Sequence, residues 1–263
     1  MRSEPRGNAL RETLDAGEPA FGVLDNVYSP TVVELLGELG FDFVWVDYEH
    51  AGPSPWDADE VADMLRAADA SGTELLVRIP DADPSLVRKA LDAGVRNLFV
   101  SRVETAEQAE RAVEAARFTH DGEPGTRGMA GPRAAKWGTV ADYPAVEDRE
   151  TVVGVTVETM RGVENIEEIV DVPDLGFVFA GPNDLSVSLG HPGEVNHDDV
   201  QAAVETIRTA CRANDVPVGN LTFGMEDVQA KVAEGYQILN VGSATGAIRG
   251  QLGDWHARYR DSE

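Results

Sequence analysis

The sequence is short of cysteine, lysine and long apolar runs, and each shortage excludes a class of protein or mechanism. Cys211 is the single cysteine, so no disulfide can form within the chain. None of the three lysines, Lys89, Lys136 and Lys231, ends a predicted strand, which argues against a Schiff-base mechanism on a desolvated lysine. No run of about 18 apolar residues occurs, so we expect no membrane-spanning helix. Residues 1–19 lack the apolar stretch of a signal peptide, so we expect a cytoplasmic protein.

Basic residues are scarce as well. The 263 residues include 22 Lys and Arg against 47 Asp and Glu, a formal net charge of −25 at pH 7. Nucleic-acid binding needs a basic surface, and an anionic membrane would repel this chain, so we expect neither partner. So much negative charge destabilises a compact fold unless salt screens it. We therefore interpret the protein as adapted to high salt; the alternative is an acidic protein that works at ordinary salinity.

Strand-like and helix-like segments alternate along the chain, which is typical of a parallel α/β sheet. The predicted strands are 21–25, 42–47, 74–78, 97–100, 152–157, 176–180, 216–219 and 237–241. The predicted helices are 30–39, 57–71, 84–93, 105–118, 160–170, 200–214, 225–234 and 244–259. Eight such pairs predict a single (β/α)₈ TIM-barrel domain over residues 1–263. A doubly wound open sheet is the alternative, but no G-x-G-x-x-G follows the first strand.

One segment interrupts this alternation. Residues 119–150 are rich in glycine and show little periodicity. A loop of that length inside a compact domain is usually functional. Because it comes after the fourth strand, we expect it to lie over the active face of the barrel.

Charged residues stand where several predicted strands end. Asp47 and His50 follow the apolar run 41–46. Arg78, Glu158 and Asp184 stand at or just beyond the ends of three further strands. The carboxyl ends of the strands of a barrel converge on one face, where active sites lie. Burying charge there is costly unless the charge is paired or holds a metal, so the pattern predicts metal-assisted chemistry on a small anion.

Glu158 and Asp184 are the candidate metal ligands. Hard cations such as Mg²⁺ bind one or two carboxylates and complete their coordination with water and substrate oxygens. Each residue also has a structural interpretation. Asp184 could cap a helix that begins beside it, and Glu158 could pair with Arg161 on the following turn.

Arg78 and His50 are the candidate catalytic residues. A guanidinium is always charged and suits a carboxylate or a developing enolate; the alternative role for Arg78 is an ion pair with Asp47 or Glu49. His50 can act as an acid or a base near neutral pH, and Asp47 is close enough in sequence to orient it. The alternative is that His50 is a loop histidine that takes no part in catalysis.

Five segments in this order resemble the HpcH/HpaI aldolase family of metal-dependent class II pyruvate aldolases. They are Val46-Asp47-Tyr48-Glu49-His50, Val77-Arg78, Arg133-Ala134-Ala135-Lys136-Trp137-Gly138, Val157-Glu158 and Gly181-Pro182-Asn183-Asp184-Leu185-Ser186. The resemblance spans about residues 20–250 and is greatest to the branch of 4-hydroxy-2-oxoheptanedioate and 2-keto-3-deoxy-sugar-acid aldolases. It implies a TIM barrel modified as in the pyruvate and phosphoenolpyruvate enzymes, assembled as a homo-oligomer that is often a hexamer.

The resemblance also implies roles for individual residues. Glu158 and Asp184 correspond to the ligands of a divalent cation, Mg²⁺, Mn²⁺ or Co²⁺, that pyruvate chelates. Arg78 corresponds to the residue that stabilises the enolate, and His50, supported by Asp47, to the acid–base residue. Residues 181–183, which are Gly181, Pro182 and Asn183, are implied to bind substrate together with Arg78.

The sequence departs from this family at one informative position. Thr156 stands two residues before Glu158, where the family usually has glutamine. The shorter side chain leaves room and removes an amide, which bears on substrate choice.

The expected function is therefore cleavage of a 4-hydroxy-2-oxo acid to pyruvate and an aldehyde, or the reverse condensation. The alternatives are a lyase like the citrate lyase β-subunit or malyl-CoA lyase, and a catalytically silent barrel that only binds. A CoA partner would need basic residues near the barrel mouth, and the long loop offers only Arg127, Arg133 and Lys136.

Overall fold

The computed structural model describes residues 7–260. Residues 1–6 and 261–263, which the predicted domain includes, lie outside the described residues. Eight parallel strands close into a barrel in the order β1-β10-β9-β8-β7-β4-β3-β2, which confirms the predicted (β/α)₈ fold and excludes an open sheet. The strands are β1 Ala20–Leu24, β2 Phe43–Asp47, β3 Glu74–Ile79, β4 Asn97–Val100, β5 Thr119–His120, β6 Glu123–Pro124, β7 Val152–Val157, β8 Phe177–Ala180, β9 Val218–Leu221 and β10 Ile238–Ser243. Strands β5 and β6 form a separate antiparallel hairpin.

Helices accompany the barrel strands, and most of them cover the outside of the barrel. They are α1 Ala9–Asp15, α2 Pro30–Glu38, α3 Ala58–Ser71, α4 Pro84–Ala93, α5 Ala106–Ala116, α6 Tyr143–Glu150, α7 Met160–Glu164, α8 Ile166–Val170, α9 Pro182–Ser188, α10 Asp198–Ala213, α11 Met225–Ala233 and α12 Ala244–Arg260. No helix among these described residues is long and apolar enough to cross a membrane.

Most strand boundaries in the structure agree with the predicted boundaries within one or two residues. Strand β9 begins two residues later than predicted because Pro217 has no backbone N–H to donate to a sheet. The predicted helix 160–170 is broken at Asn165, whose side chain donates to the carbonyl of Glu104 at 2.7 Å. The sequence pattern does not predict helix α1, which buries Leu10 and Leu14 against the amino end of the barrel.

The barrel interior is filled by large aromatic residues below the carboxyl end. Trp45 contacts the rings of Phe99 and Phe179 with centroid distances of 5.3 and 5.4 Å. Gly154 leaves space for another ring, since a Cβ there would lie 2.3 Å from Phe177. This floor is closely packed, so the polar residues at the strand ends are supported by a rigid base.

The long segment 119–150 lies at the amino end of the barrel, so its expected place over the active face is wrong. The backbone N–H of Ala134 donates to Asp92 at 3.2 Å, and Arg133 donates to the carbonyl of Ala93 at 3.2 Å. Both acceptors belong to the last turn of α4. The segment follows helix α5 and not strand β4 directly, and a connection from a helix to the next strand lies at the end opposite the active face.

Candidate active site

A buried ion pair forms the centre of the site. Asp47 and Arg78 occupy paired positions at the ends of β2 and β3. Arg78 Nε donates to Asp47 Oδ1 at 2.8 Å, and Nη2 donates to Oδ2 at 2.6 Å. Burial alone would raise the pKa of Asp47, but the hydrogen-bonded guanidinium outweighs burial and lowers it. The pair is therefore charged and rigid, with its guanidinium 5.0 Å above the ring of Trp45.

Glu49 completes the environment of the arginine. Its Oε2 lies 2.9 Å from Arg78 Nη1 and 3.4 Å from His50 Nε2. The ion pairs that the sequence offered as the structural alternative for Arg78 are thus both present, and they lie on the active face. The carboxylate in contact with His50 is that of Glu49, whereas Asp47 is engaged by Arg78. The side chain of His50 is 59% exposed and reaches solvent at the barrel mouth.

Glu158 lies beside this pair at the end of β7. It is only 2% exposed, and its Oε1 accepts a hydrogen bond from the backbone N–H of Arg102 at 3.0 Å. Burial and the neighbouring carboxylates of Glu49 and Asp184 raise the pKa of Glu158 to about 7. Pairing with Arg161 is ruled out as its explanation, because Arg161 instead faces Glu104 at 3.5 Å.

Asp184 belongs to the first turn of α9, next to Glu158. The N-cap of that helix is Gly181, so Asp184 is not the cap that the sequence offered as an alternative. Its Oδ1 lies 3.7 Å from Arg102 Nη1, and its side chain is about one-third exposed. The carboxylates of Glu158 and Asp184 thus face the same space at the mouth.

Residues 181–183 form the turn that brings Asp184 to Glu158. A Cβ on Gly181 would lie 2.7 Å from Oε2 of Glu158, so only glycine allows this approach. Pro182 is buried at the first position of α9, where its missing N–H costs no hydrogen bond. The carbonyl of Asn183 accepts from Ser186 Oγ at 2.6 Å, and the Asn183 side chain is exposed.

Two buried polar atoms of the barrel interior have no protein partner among residues 7–260. They are Nε1 of Trp45 and Oγ1 of Thr156. Both residues lie one layer below the charged residues, since Asp47 and Glu158 follow them on the same side of their strands. Buried polar atoms are nearly always hydrogen-bonded, so this layer is built to meet a water molecule or a ligand.

The residues fit a hard divalent cation. Glu158 and Asp184 offer oxygen donors from two elements, and the remaining positions would be open to water and substrate, as is usual for Mg²⁺. Burial and the carboxylates of Glu49 and Asp184 raise the pKa of Glu158, and a cation bound there would offset that repulsion. The sequence points to these two carboxylates as candidate ligands and to Glu49 as a possible partner of Arg78, but it does not point to Arg102.

This architecture, a closed parallel barrel with paired acids and an arginine at its carboxyl end, places these residues where barrel enzymes have their active sites. The family model of the HpcH/HpaI aldolase/citrate lyase family matches residues 22–249. A 5-keto-4-deoxy-D-glucarate aldolase of Shigella dysenteriae serotype 1 is 33% identical over 249 residues, covering 95% of each chain.

Solved structures agree with this match. A HpcH/HpaI aldolase/citrate lyase family protein from Burkholderia cenocepacia J2315 superposes with a TM-score of 0.89 at 34% identity, covering 96% of this chain and 99% of that one. The citrate synthase SbnG superposes with a TM-score of 0.86 at 26% identity, covering 97% and 98%. The chain belongs to the HpcH/HpaI aldolase/citrate lyase family, and it is a carbon–carbon lyase.

Proposed function

We propose that the protein is a metal-dependent class II aldolase that cleaves 4-hydroxy-2-oxo acids to pyruvate and an aldehyde, or forms them. The observation that carries the proposal is the rigid Arg78–Asp47 pair facing the carboxylates of Glu158 and Asp184. The name of the Shigella relative supports it. Counted from its keto end, 5-keto-4-deoxyglucarate is a 2-oxo acid with a methylene at C3 and a hydroxyl at C4.

Glu158 and Asp184 would hold the cation, with Mg²⁺, Mn²⁺ and Co²⁺ as the candidates. When bound, such a cation supplies positive charge for the carboxylate and keto oxygens of the pyruvate half. The positions of the lysines support a role for the cation. None of Lys89, Lys136 and Lys231 ends a barrel strand, so no lysine is placed to form a Schiff base with the keto group.

Arg78 would stabilise the charge that develops during cleavage. As the C3–C4 bond breaks, its electron pair moves into a C2–C3 double bond and negative charge collects on the C2 oxygen. A guanidinium already fixed by Asp47 and Glu49 needs no reorganisation to meet that charge. Protonation at C3 then completes pyruvate.

His50 would move the other proton. Cleavage requires the C4 hydroxyl to lose its proton as the aldehyde carbonyl forms. His50 is exposed at the mouth and touches Glu49, so it can pass this proton to solvent and return it in the condensation direction. The substrate pocket beside the cation would be lined by Gly181, Pro182 and Asn183. The hydroxyl of Thr156, one layer deeper in the barrel, would form a hydrogen bond with the substrate.

We also propose a homo-oligomer, with a hexamer implied by the resemblance. None of the residues of α12 is buried, and Ile248, Leu252, Trp255 and Tyr259 form an exposed apolar stripe. An apolar groove of about 670 Å³ lies beside β1 and α2, where the last helix of a barrel usually packs. Its lining includes Val23, Leu36, Phe41, Leu221 and Val241. A second copy's α12 would fill this groove.

The excess of acidic residues supports a protein that works in a salt-rich cytoplasm, since its net charge of −25 needs screening. The CoA-dependent lyases are less well supported as an alternative. Arg127, Arg133 and Lys136 belong to the segment at the amino end of the barrel, away from the mouth where CoA would enter.

A retro-aldol screen tests the proposed function. The full-length protein is incubated with a panel of 4-hydroxy-2-oxo acids and varied divalent cations, and pyruvate is detected. In parallel, the pyruvate methyl group is followed by NMR in D₂O for exchange with solvent deuterium. We expect both activities with Mg²⁺, Mn²⁺ or Co²⁺ and neither in excess EDTA. Full activity in EDTA, or a pyruvate adduct trapped by borohydride, would refute the metal-dependent mechanism.

A further inference from the structure

Arg102 occupies an unusual position directly beside the candidate metal ligands. It lies just beyond β4, and its backbone adopts a left-handed conformation with φ of 54°. Non-glycine residues rarely adopt that conformation, and those that do are concentrated at functional sites. The strained turn points the N–H of Arg102 at Glu158 Oε1, 3.0 Å away. The backbone of Arg102 is therefore anchored to the site, and its side chain begins at the barrel mouth.

The side chain of Arg102 is loosely held, in contrast to that of Arg78. Within residues 7–260 its guanidinium forms one ion pair, in which Nη1 and Asp184 Oδ1 lie 3.7 Å apart. That distance is too long for a hydrogen bond, and the side chain is 57% exposed. Arg78, by comparison, is buried and bound to two carboxylates. The donors of Arg102 are consequently open to an incoming anion.

Because the mouth is rich in carboxylates, some substrates need a positively charged side chain such as Arg102 there. Asp47, Glu49, Glu158 and Asp184 place four carboxyl groups around the site, and the chain as a whole carries −25. An anionic group far from the pyruvate end would meet repulsion there. The pyruvate half already has Arg78 and the candidate cation site, which leaves the loosely held guanidinium of Arg102 for the other half of the substrate.

We propose that Arg102 forms a subsite for a carboxylate carried by the aldehyde half of the substrate, an inference that rests on the proposed aldolase function. The planar guanidinium can bind a carboxylate through two parallel hydrogen bonds. A ligand carboxylate needs only to replace the loose contact with Asp184. The preferred aldehydes are then short and acidic, and cleavage substrates carry two carboxylates.

Matched aldehyde pairs test this inference in the condensation direction. Glyoxylate is compared with acetaldehyde, and succinate semialdehyde with butyraldehyde, each with pyruvate and Mg²⁺. The quantity of interest is the ratio of kcat/KM for the acidic aldehyde to kcat/KM for its neutral match. In Arg102→Met we expect this ratio to fall roughly 10- to 100-fold, mainly through KM, the span of a hydrogen bond to a charged group. Arg102→Lys should recover part of the ratio.

Arg161→Met is the control for a general change of charge. Arg161 lies on α7, is 65% exposed, and contacts Glu104 and not the site. Its removal should leave the ratio as in the wild type. An unchanged ratio in Arg102→Met, or an equal fall in Arg161→Met, would overturn the subsite. Wild-type protein with neither aldol product nor methyl exchange would instead refute the proposed function, and the subsite with it.

Discussion

Asp47 and Arg78 stand opposite each other in the register of β2 and β3, and two hydrogen bonds of 2.8 and 2.6 Å join them. Parallel register alone brings the two side chains to the same face at the same height. Each member stabilises the charge of the other in a buried place where neither would be stable alone. The barrel thus holds the guanidinium of Arg78 in a fixed orientation at its mouth.

Arg78→Ala should abolish both aldol cleavage and exchange of the pyruvate methyl protons, because each requires negative charge on the C2 oxygen. The variant also leaves Asp47 buried without a partner, which should cost about 3 kcal/mol of stability. The double variant Arg78→Met/Asp47→Asn removes that unpaired charge and separates folding from catalysis. We expect it to melt close to the wild type and to remain inactive. Near-normal methyl exchange in either variant would show that Arg78 does not hold the enolate charge.

His50→Ala should slow aldol cleavage by about 10² to 10⁴, the usual contribution of general acid–base catalysis. The measurement is kcat/KM for cleavage at fixed Mg²⁺. His256→Ala is the matched control, since His256 is exposed on α12 and no hydrogen bond or ion pair described for residues 7–260 joins it to the site. Equal rates in the two variants would remove His50 from the mechanism.

The sequence could predict the barrel because eight apolar segments and eight amphipathic ones alternate with little interruption. It could also predict that Glu158, Asp184 and Arg78 belong to the site. Burying a charged residue at the end of an apolar strand costs free energy, so such a residue indicates a function. The position of segment 119–150 after β4 in the sequence predicts the wrong end of the barrel, because α5 intervenes and reverses the direction of the chain.

Other parts of the site depend on contacts between distant residues. Arg102 meets Asp184 through a left-handed turn after β4, and no local pattern in the sequence marks that turn. The sequence offers Glu49 as a possible partner of Arg78, but only the structure shows that Glu49 contacts both Arg78 and His50. Ion pairs join residues that are distant in the sequence. Composition and periodicity therefore do not show which of several acidic residues an arginine contacts.

Metal binding should release a proton from Glu158. Because its pKa is raised to about 7, the carboxyl is largely protonated below that pH, and a cation must displace the proton. We expect affinity for Mn²⁺ to rise with pH up to about 7 and then level off. Calorimetry in buffers of different ionisation enthalpy should give nearly one proton released at pH 6, about half at pH 7 and almost none at pH 8.5. Glu158→Gln should bind weakly at every pH; a pH-independent affinity in the wild type would contradict the assignment.

Thr156→Val should stabilise the protein without metal or substrate. The two side chains have nearly the same shape, and the hydroxyl of Thr156 is buried without a protein partner. Removing an unsatisfied hydroxyl should raise stability by about 1 kcal/mol, a rise in Tm of roughly 2 to 4 °C. Thr151→Val is a control at another buried, unpartnered hydroxyl, at the amino end of β7. A fall in Tm confined to Thr156→Val would mean that a bound water satisfies the hydroxyl beneath the site.

Salt should stabilise the fold independently of the metal. With 47 acidic and 22 basic residues, the folded chain repels itself, and this repulsion weakens as the Debye length shrinks from about 8 Å at 0.15 M to about 3 Å at 1 M salt. We expect Tm to rise from low to molar KCl at saturating Mg²⁺, and scattering mass to fall at low salt as acidic subunits separate. Glu164→Gln/Glu168→Gln, which removes two exposed charges on neighbouring helices, should flatten the rise of Tm with salt. A Tm that stays level or falls with KCl would refute adaptation to high salt while leaving the aldolase proposal untouched, because the active site needs only millimolar cation.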